Sequence, residues 1–199
     1  MLVKELVVAT QNKDKVREIK NILKGVHIKI LTPDVFGKTP KVVEDGKTFE
    51  ANAAKKARII SRFTHRMAIA DDSGLEVKTL GGRPGIRSSR FAGSAQDYLK
   101  NNRKLLGLMK DVPARKRGAR FVCVIAIAKD DKVLRTVRGT CSGRIAFEMR
   151  GKTGFGYDPV FISPKHGKTF AELGQKIKNR ISHRYRALVK AKKVLKKLL

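Results

Sequence analysis

The run from Phe121 to Ala128, FVCVIAIA, is the most apolar stretch of the chain and constrains the fold more than any other. It reads as the central strand of a sheet. Leu2 to Ala9 carries a second such run, LVVA, of the sort found where both faces of a sheet are covered, and Thr10-Gln11-Asn12 ends it. Val16, Ile19, Ile22 and Leu23 recur at helical spacing from Lys13 onward. TFEANAAKKARIISRF, capped by Thr48, puts small and apolar residues on one stripe of a second helix and basic residues on the other. Gln96 to Met109 reads as a third helix with Leu99, Leu105, Leu106 and Met109 inward, and Tyr185 to Leu199 as an amphipathic fourth with Ser182 as its N-cap. His27 to Leu31 is a further strand, DVPARKRGAR a basic loop, and Thr169 to Leu173 a short turn-like segment. Asp130-Asp131 turns the central strand into Val133 to Val137, a hairpin that Gly139 to Phe147 extends. The expected class is therefore α/β, a mixed twisted sheet with flanking helices. A length of 199 residues suits one folded unit, residues 1–199.

Ala68 to Gly93, AIADDSGLEVKTLGGRPGIRSSRFAG, holds the most conspicuous polar interruption. Met67 to Ala70 reads as a short buried strand ending in Asp71 and Asp72, whose side chains point to opposite sides of the backbone. One of them can face a ligand while the other braces it. Ser73 and Gly74 permit a tight turn, and Gly81, Gly82, Pro84 and Gly85 lay down a long loop ending in Ser89 and Arg90. A phosphate-metal unit would suit these groups. A plain polar turn between two strands would use the same residues, so this stretch alone leaves both readings open.

Three other places carry candidate chemistry. Thr10, Asn12 and Lys15 fall on a strand-to-helix junction whose free amides make a natural phosphate seat, although TQNKDK lacks the glycines of a Walker loop and Lys15 would equally serve as a solvated helix charge. Glu44 and Asp45 are candidate metal ligands; Glu50 offsets the helix dipole and Asn52 tucks into backbone. In GKTGFGYDP the glycines allow close backbone approach to a ligand and Phe155 or Tyr157 can stack on a planar base, unless the segment is simply a turn packed on the core. Lys178, Asn179, Ser182, His183 and Arg184 open the last helix and concentrate donors suited to a base edge or a phosphate. No Ser-His-Asp nucleophile arrangement is readable from the spacing.

The charge is unusual. Lys and Arg number 46 against 17 Asp and Glu, a formal net charge of +29, spread along the whole chain rather than gathered in one tail. Aromatic residues are only 6%, few for stacking on bases. Such a surface binds polyanions non-specifically and in a salt-sensitive way, and a charge-modified variant of an ordinary domain, with small or basic residues around Ala95, Ala114 and Lys176, would look the same. Cys123 and Cys141 lack metal-ligand spacing and read as reduced core residues. No stretch approaches the roughly 18 to 20 apolar residues of a membrane helix, and the N-terminus lacks the layout of a signal peptide, so a cytoplasmic protein with no membrane partner is expected.

TQNKDKVREI, EDGKTFEANAAKKA, ADDSGLEVKTLGGRPGIRSSRFAG, TGFGYDPVF and KNRISHR, in this order across nearly the whole chain, resemble the inosine triphosphate pyrophosphatase family, the Ham1-like non-canonical purine nucleotide pyrophosphatases. The resemblance implies one nucleotide-pyrophosphatase domain with an elongated, two-lobed α/β fold and a central cleft. It also implies a homodimer and Mg²⁺-dependent hydrolysis of ITP, dITP or XTP to the monophosphate and pyrophosphate. It assigns Thr10, Asn12 and Lys15 to the triphosphate and Asp72 to metal or to the attacking water, with Ser73 on the substrate. Phe155, Gly156, Tyr157 and Asp158, with Lys178, His183 and Arg184, would form the purine pocket that recognises the 6-keto group. Where the family commonly has an acid directly before the asparagine of TFxxN, this chain has Ala51, and Glu44 would then supply the second metal carboxylate. Ser89 stands where alanine is frequent. Ala51 and the diffuse charge together define the alternative, an inactive or weakened, highly cationic variant that acts as a non-specific polyanion binder.

The residue types suit the reaction. Mg²⁺ and Lys15 would neutralise the triphosphate while a carboxylate-activated water attacks the α-phosphorus. Donors aimed at a 6-keto oxygen reject a 6-amino group, which would leave them unpaired.

Overall fold

A computed structural model describes residues 4–93 and 97–198; Leu2, Val3, Ala95, Gln96 and Leu199, on which expectations fell, lie outside the described residues. The strands are β1 (Lys4–Val8), β2 (Ile28–Leu31), β3 (Met67–Val77), β4 (Gly118–Lys129), β5 (Lys132–Ile145) and β6 (Phe161–Ile162), in the sheet order β2-β1-β3-β4-β5-β6. β1 runs parallel to β2 and to β3, whereas β5 and β6 are antiparallel. The sheet is mixed, as the hairpin signal required. That hairpin turns on Asp130 and Asp131, both at positive φ (51° and 60°), the backbone of a tight two-residue connection. The helices are α1 (Lys13–Leu23), α2 (Phe49–Thr64), α3 (Tyr98–Leu108), α4 (Phe170–Ile181) and α5 (His183–Leu198).

The chain divides into two compact units. The first comprises Met1–Asp72, Cys123–Gly139 and Arg184–Leu199. Its core sets Leu6, Val8, Met67, Ile69, Cys123, Ile125 and Ile127 from the strands against Ile19 and Leu23 of α1 and Ala187, Leu188, Ala191 and Leu195 of α5. Alternate strand residues and a helical stripe bury themselves together, which is the main stabilising term in such a unit. The opposite stripe of α5, Arg186, Lys190, Lys193 and Lys197, is exposed.

The second unit comprises Ser73–Val122 and Thr140–His183. Its core gathers Leu75, Val77, Leu105, Met109, Phe121, Ile145, Val160, Phe161 and Phe170, with Phe121 stacked on Phe170 at 5.9 Å between ring centroids. Both cysteines are buried thiols.

Five local expectations need correction. Ser73-Gly74 is not a turn: β3 runs on for 11 residues, because extension buries Leu75 and Val77 completely and lets Ser88 Oγ accept the Leu75 N–H at 2.9 Å. Thr169 to Leu173 is the start of a helix, since Thr169 and Glu172 close a capping box; α4 then continues through a kink at Gly174 and carries Lys178 and Asn179, so these residues do not open the last helix. Leu99 points out, 48% exposed, because α3 buries Asn101 and Asn102 alongside Leu105. The basic loop hides one of its arginines. Arg117 is buried and its guanidinium donates to the carbonyls of Met109, Val112, Ile145 and Ala146.

Candidate active site

Successive side chains on a strand face opposite ways, and β3 uses this to give its two aspartates different partners. Asp71 Oδ2 meets Lys15 Nζ at 3.1 Å and Arg184 Nε at 3.3 Å, and Arg184 also pairs with Glu18. Asp71, Glu18 and Arg184 are all buried. Burial alone would raise the Asp71 carboxyl, but Lys15, Arg184 and Lys56 together hold it well below the usual carboxylate range. This aspartate is a fixed negative charge that locks α1 and α5 to the strand.

Asp72 has the opposite balance. Burial pushes its carboxyl above the ordinary value, Lys56 opposes that shift, and the Glu44 charge adds to it. Asn52 Nδ2 donates to Asp72 Oδ2 at 3.0 Å, and Asn52 Oδ1 accepts the Gly46 N–H at 2.8 Å. Lys56 Nζ is shared by Glu44 Oε1 at 2.7 Å, the Asp71 carbonyl at 2.7 Å and, more distantly, Asp72 Oδ1 at 4.0 Å. Burial acts to lower the Lys56 pKa, yet the acids around it raise it, so Lys56 stays cationic. A buried carboxylate with elevated basicity, oriented by an amide and flanked by an ammonium, suits activation of a water beside an anionic substrate.

Asn12 caps α1, its Oδ1 accepting from the amides of Asp14 at 3.0 Å and Lys15 at 3.2 Å, while Thr10 Oγ1 accepts from Asn12 N–H at 3.2 Å. The amides expected to be free at this junction are thus partly occupied by the cap, and Lys15 brings the more direct positive charge.

In the second unit Asp158 and Lys178 form a buried ion pair at 2.6 Å. The same Asp158 oxygen accepts the Phe155 N–H at 2.9 Å, and Lys178 Nζ lies 4.3 Å from the Phe155 ring centroid. A Cβ at Gly154 would collide with the Asp158 carboxylate, and Gly154 has φ +81°, so this loop closes only over glycine. Tyr157 is buried, its hydroxyl donating to the Ser88 carbonyl at 2.9 Å, and burial raises its pKa. The His183 ring stacks on Phe121 at 4.5 Å and 12°. Phe155 and Gly156 are half-buried.

The Ham1 family model matches residues 6–194. The chain belongs to the Ham1 family. It is 48% identical over 194 residues to a dITP/XTP pyrophosphatase of Desulforamulus reducens, covering 98% of this chain and 96% of that one. A dITP/XTP pyrophosphatase of Bacillus subtilis is 44% identical, with 98% of each chain covered. Among solved structures, a Ham1 protein from Coxiella burnetii superposes with a TM-score of 0.90 at 40% identity over 98% of this chain and 99% of that one. The Staphylococcus aureus Ham1 protein gives 0.89 at 38%, over 98% and 100%.

In this Ham1-family chain the sequence-expected residues fall into two groups. Thr10, Asn12, Lys15, Glu44, Asp72 and Arg184 belong to the first unit; Ser73, Phe155, Gly156, Tyr157, Asp158, Lys178 and His183 belong to the second. Arg184, expected with the purine donors, is engaged with Asp71 and Glu18. Ser73 follows Asp72 on β3 and is half-buried. Two residues escaped the sequence reading, Lys56 and Glu18, and a third, Asn52, binds backbone as expected but also holds the Asp72 carboxylate. The available signal for Glu18 was an acid directly before the apolar Ile19 on a helix that also carries Lys13, Lys15, Arg17 and Lys20. None existed for Lys56, one lysine among many. Ala51 is exposed, its N–H donating to Thr48 Oγ1 at 3.1 Å, and Glu44 is the acid in direct contact with Lys56.

Proposed function

We propose that the chain hydrolyses ITP, dITP and XTP to the corresponding monophosphate and pyrophosphate. The observation that carries this reading is Asp72, a buried carboxylate of raised pKa held by Asn52 next to Lys56, in a chain similar over its whole length to dITP/XTP pyrophosphatases. Asp72 takes a proton from water as the water oxygen bonds to the α-phosphorus; the bond from that phosphorus to the bridging oxygen breaks, and its electron pair leaves with pyrophosphate. Lys15 and Lys56 offset the negative charge of the triphosphate. Asp71 stays ionised and positions Lys15.

Among the described residues no group of three or more His, Cys, Asp or Glu could hold a metal ion by itself. Two carboxylates, Asp72 and Glu44, flank Lys56, and hard oxygen donors of this number fit Mg²⁺, which is commonly held by one or two carboxylates plus substrate phosphates. Asp72 and Glu44 would hold it. When bound, the ion supplies further charge neutralisation on the phosphates.

The second unit is assigned to the base: Phe155 offers a ring for stacking, and Asp158, Lys178 and the loop amides offer polar contacts. A homodimer belongs to the same reading and is checked by sedimentation. Pyrophosphate release from dITP, XTP, dATP and dGTP with Mg²⁺ tests the whole. Release confined to dITP and XTP is expected, and equal release from all four contradicts it.

Polyanion binding is a second property. Helix α5 contains no acidic residue and exposes Arg186, Lys190, Lys193 and Lys197 along one stripe. With few aromatic residues to stack on bases, this face suits phosphate backbones rather than sequence reading.

A further inference from the structure

Asn101 and Asn102 are consecutive, both 2% exposed, and lie on the inward face of α3 where apolar residues would ordinarily sit. Each grips a loop of the second unit. Asn101 Oδ1 accepts the Ala92 N–H at 2.7 Å and its Nδ2 donates to the Ser89 carbonyl at 3.1 Å. Asn102 Nδ2 donates to the Gly156 carbonyl at 2.8 Å, while Asn102 Oδ1 is buried with no hydrogen-bond partner among the described residues. Burying an unsatisfied amide oxygen is unfavourable. The side chain is therefore kept for what its Nδ2 does. Its orientation is fixed by chemistry, because a carbonyl can only accept.

The carbonyl of Gly156 and the N–H of Tyr157 belong to one planar trans peptide and point in opposite directions. Among the described residues the Tyr157 N–H meets no acceptor; the hydrogen bonds of Tyr157 run through its hydroxyl and its carbonyl. Gly156 lies at φ +65° with nothing within 4 Å of where a Cβ would be, so neither sterics nor packing at that residue opposes rotation of this peptide. Rotation would replace an N–H donor by a C=O acceptor on the face turned away from α3. A 6-keto purine presents an acceptor at position 6, and a 6-amino purine presents a donor.

We infer that Asn102 is a positioning residue that sets base selectivity: by holding the Gly156 carbonyl it fixes the Tyr157 N–H as a donor to a 6-keto oxygen. This rests on the assignment of the Phe155–Asp158 loop to the base. Loss of the Asn102 amide frees the peptide to turn its carbonyl outward, which relaxes rejection of 6-amino purines and weakens binding of 6-keto ones.

The test compares kcat and KM for dITP and dATP in the unmodified enzyme and in Asn102→Leu, which also removes the unsatisfied oxygen and so favours retention of the fold. The dITP-to-dATP ratio of kcat/KM should fall by about 10-fold or more, through a rise in KM for dITP with little change in kcat. Equal losses on both substrates, or an unchanged ratio, would mean a purely structural role and overturn the inference. An unmodified enzyme that does not prefer dITP would instead overturn the functional reading. Should Asn102→Leu not fold, amide exchange in the unmodified protein decides. A non-hydrolysable ITP analogue should protect the Tyr157 amide and an ATP analogue should not; equal protection by both, or by neither, rejects the donor role.

Discussion

Asn52 links Asp72 to the segment before α2, donating to the carboxylate at 3.0 Å while accepting from the Gly46 amide at 2.8 Å. An amide held at both ends aims the carboxylate it serves. Asn52→Ala should lower kcat for dITP by on the order of 10 to 100-fold with KM little changed, because misorientation of a reacting group costs the chemical step rather than binding. Steady-state kinetics distinguish this from a rise in KM at constant kcat.

Asp72→Asn should separate activity from stability. If Asp72 is the base proposed above, its loss should remove on the order of 10²- to 10⁴-fold in kcat. Because burial raises the folded pKa of Asp72, keeping it ionised costs folding free energy at neutral pH; the cost vanishes below the ordinary value of 3.8 and grows as pH rises through the folded one. The asparagine form should then melt higher than the parent at pH 7, with the difference shrinking in acid. Thermal unfolding at several pH values checks both parts.

Asp71→Asn should do the reverse. The folded pKa of Asp71 is depressed, so its contribution is complete above the ordinary value of 3.8 and lost as pH falls through the lower folded value. Removing a carboxylate shared by Lys15 and buried Arg184 should cost about 3 kcal/mol at pH 7, and less as the pH drops below about 4. Denaturant unfolding measures the gap, and a gap that widens in acid would contradict the assigned ion pairs.

Asp158→Asn strands the ammonium of Lys178 in a buried site and should destabilise the protein by about 3 kcal/mol or more. Adding Lys178→Met should restore much of that stability while leaving the discrimination between dITP and dATP impaired. Full recovery of selectivity in the double variant would show that the pair serves the fold alone.

The affinity of duplex DNA for this chain should fall steeply with salt. Lys193→Glu with Lys197→Glu should reduce the slope of log affinity against log salt by about 2, leaving dITP hydrolysis unchanged. A slope unaffected by both substitutions would place the contact elsewhere on the surface.

Much of this was legible in the sequence because it depends on local pattern. FVCVIAIA had to be a buried strand, Thr48 had to cap a helix, and Asp130-Asp131 had to turn a hairpin. Errors arose where distant contacts override local preference. Ser73-Gly74 reads as a turn until Leu75 and Val77 demand extension for burial. Leu99 reads as inward until α3 turns Asn102 onto the Gly156 carbonyl, 54 positions along the chain. Lys56 and Arg117 illustrate a further limit: with 46 basic residues, composition cannot single out the few whose charge is enclosed.

Asp71 and Asp72 differ by one step along β3, and under the proposed mechanism that step divides the work of holding the protein together from the work of chemistry. An insertion or deletion of a single residue within the strand ahead of them would exchange the two sides, handing the scaffold's anchor to the substrate and the reactive group to Lys15 and Arg184. A library that samples strand length from Met67 to Asp72 should therefore yield folded, active members only at the parental count.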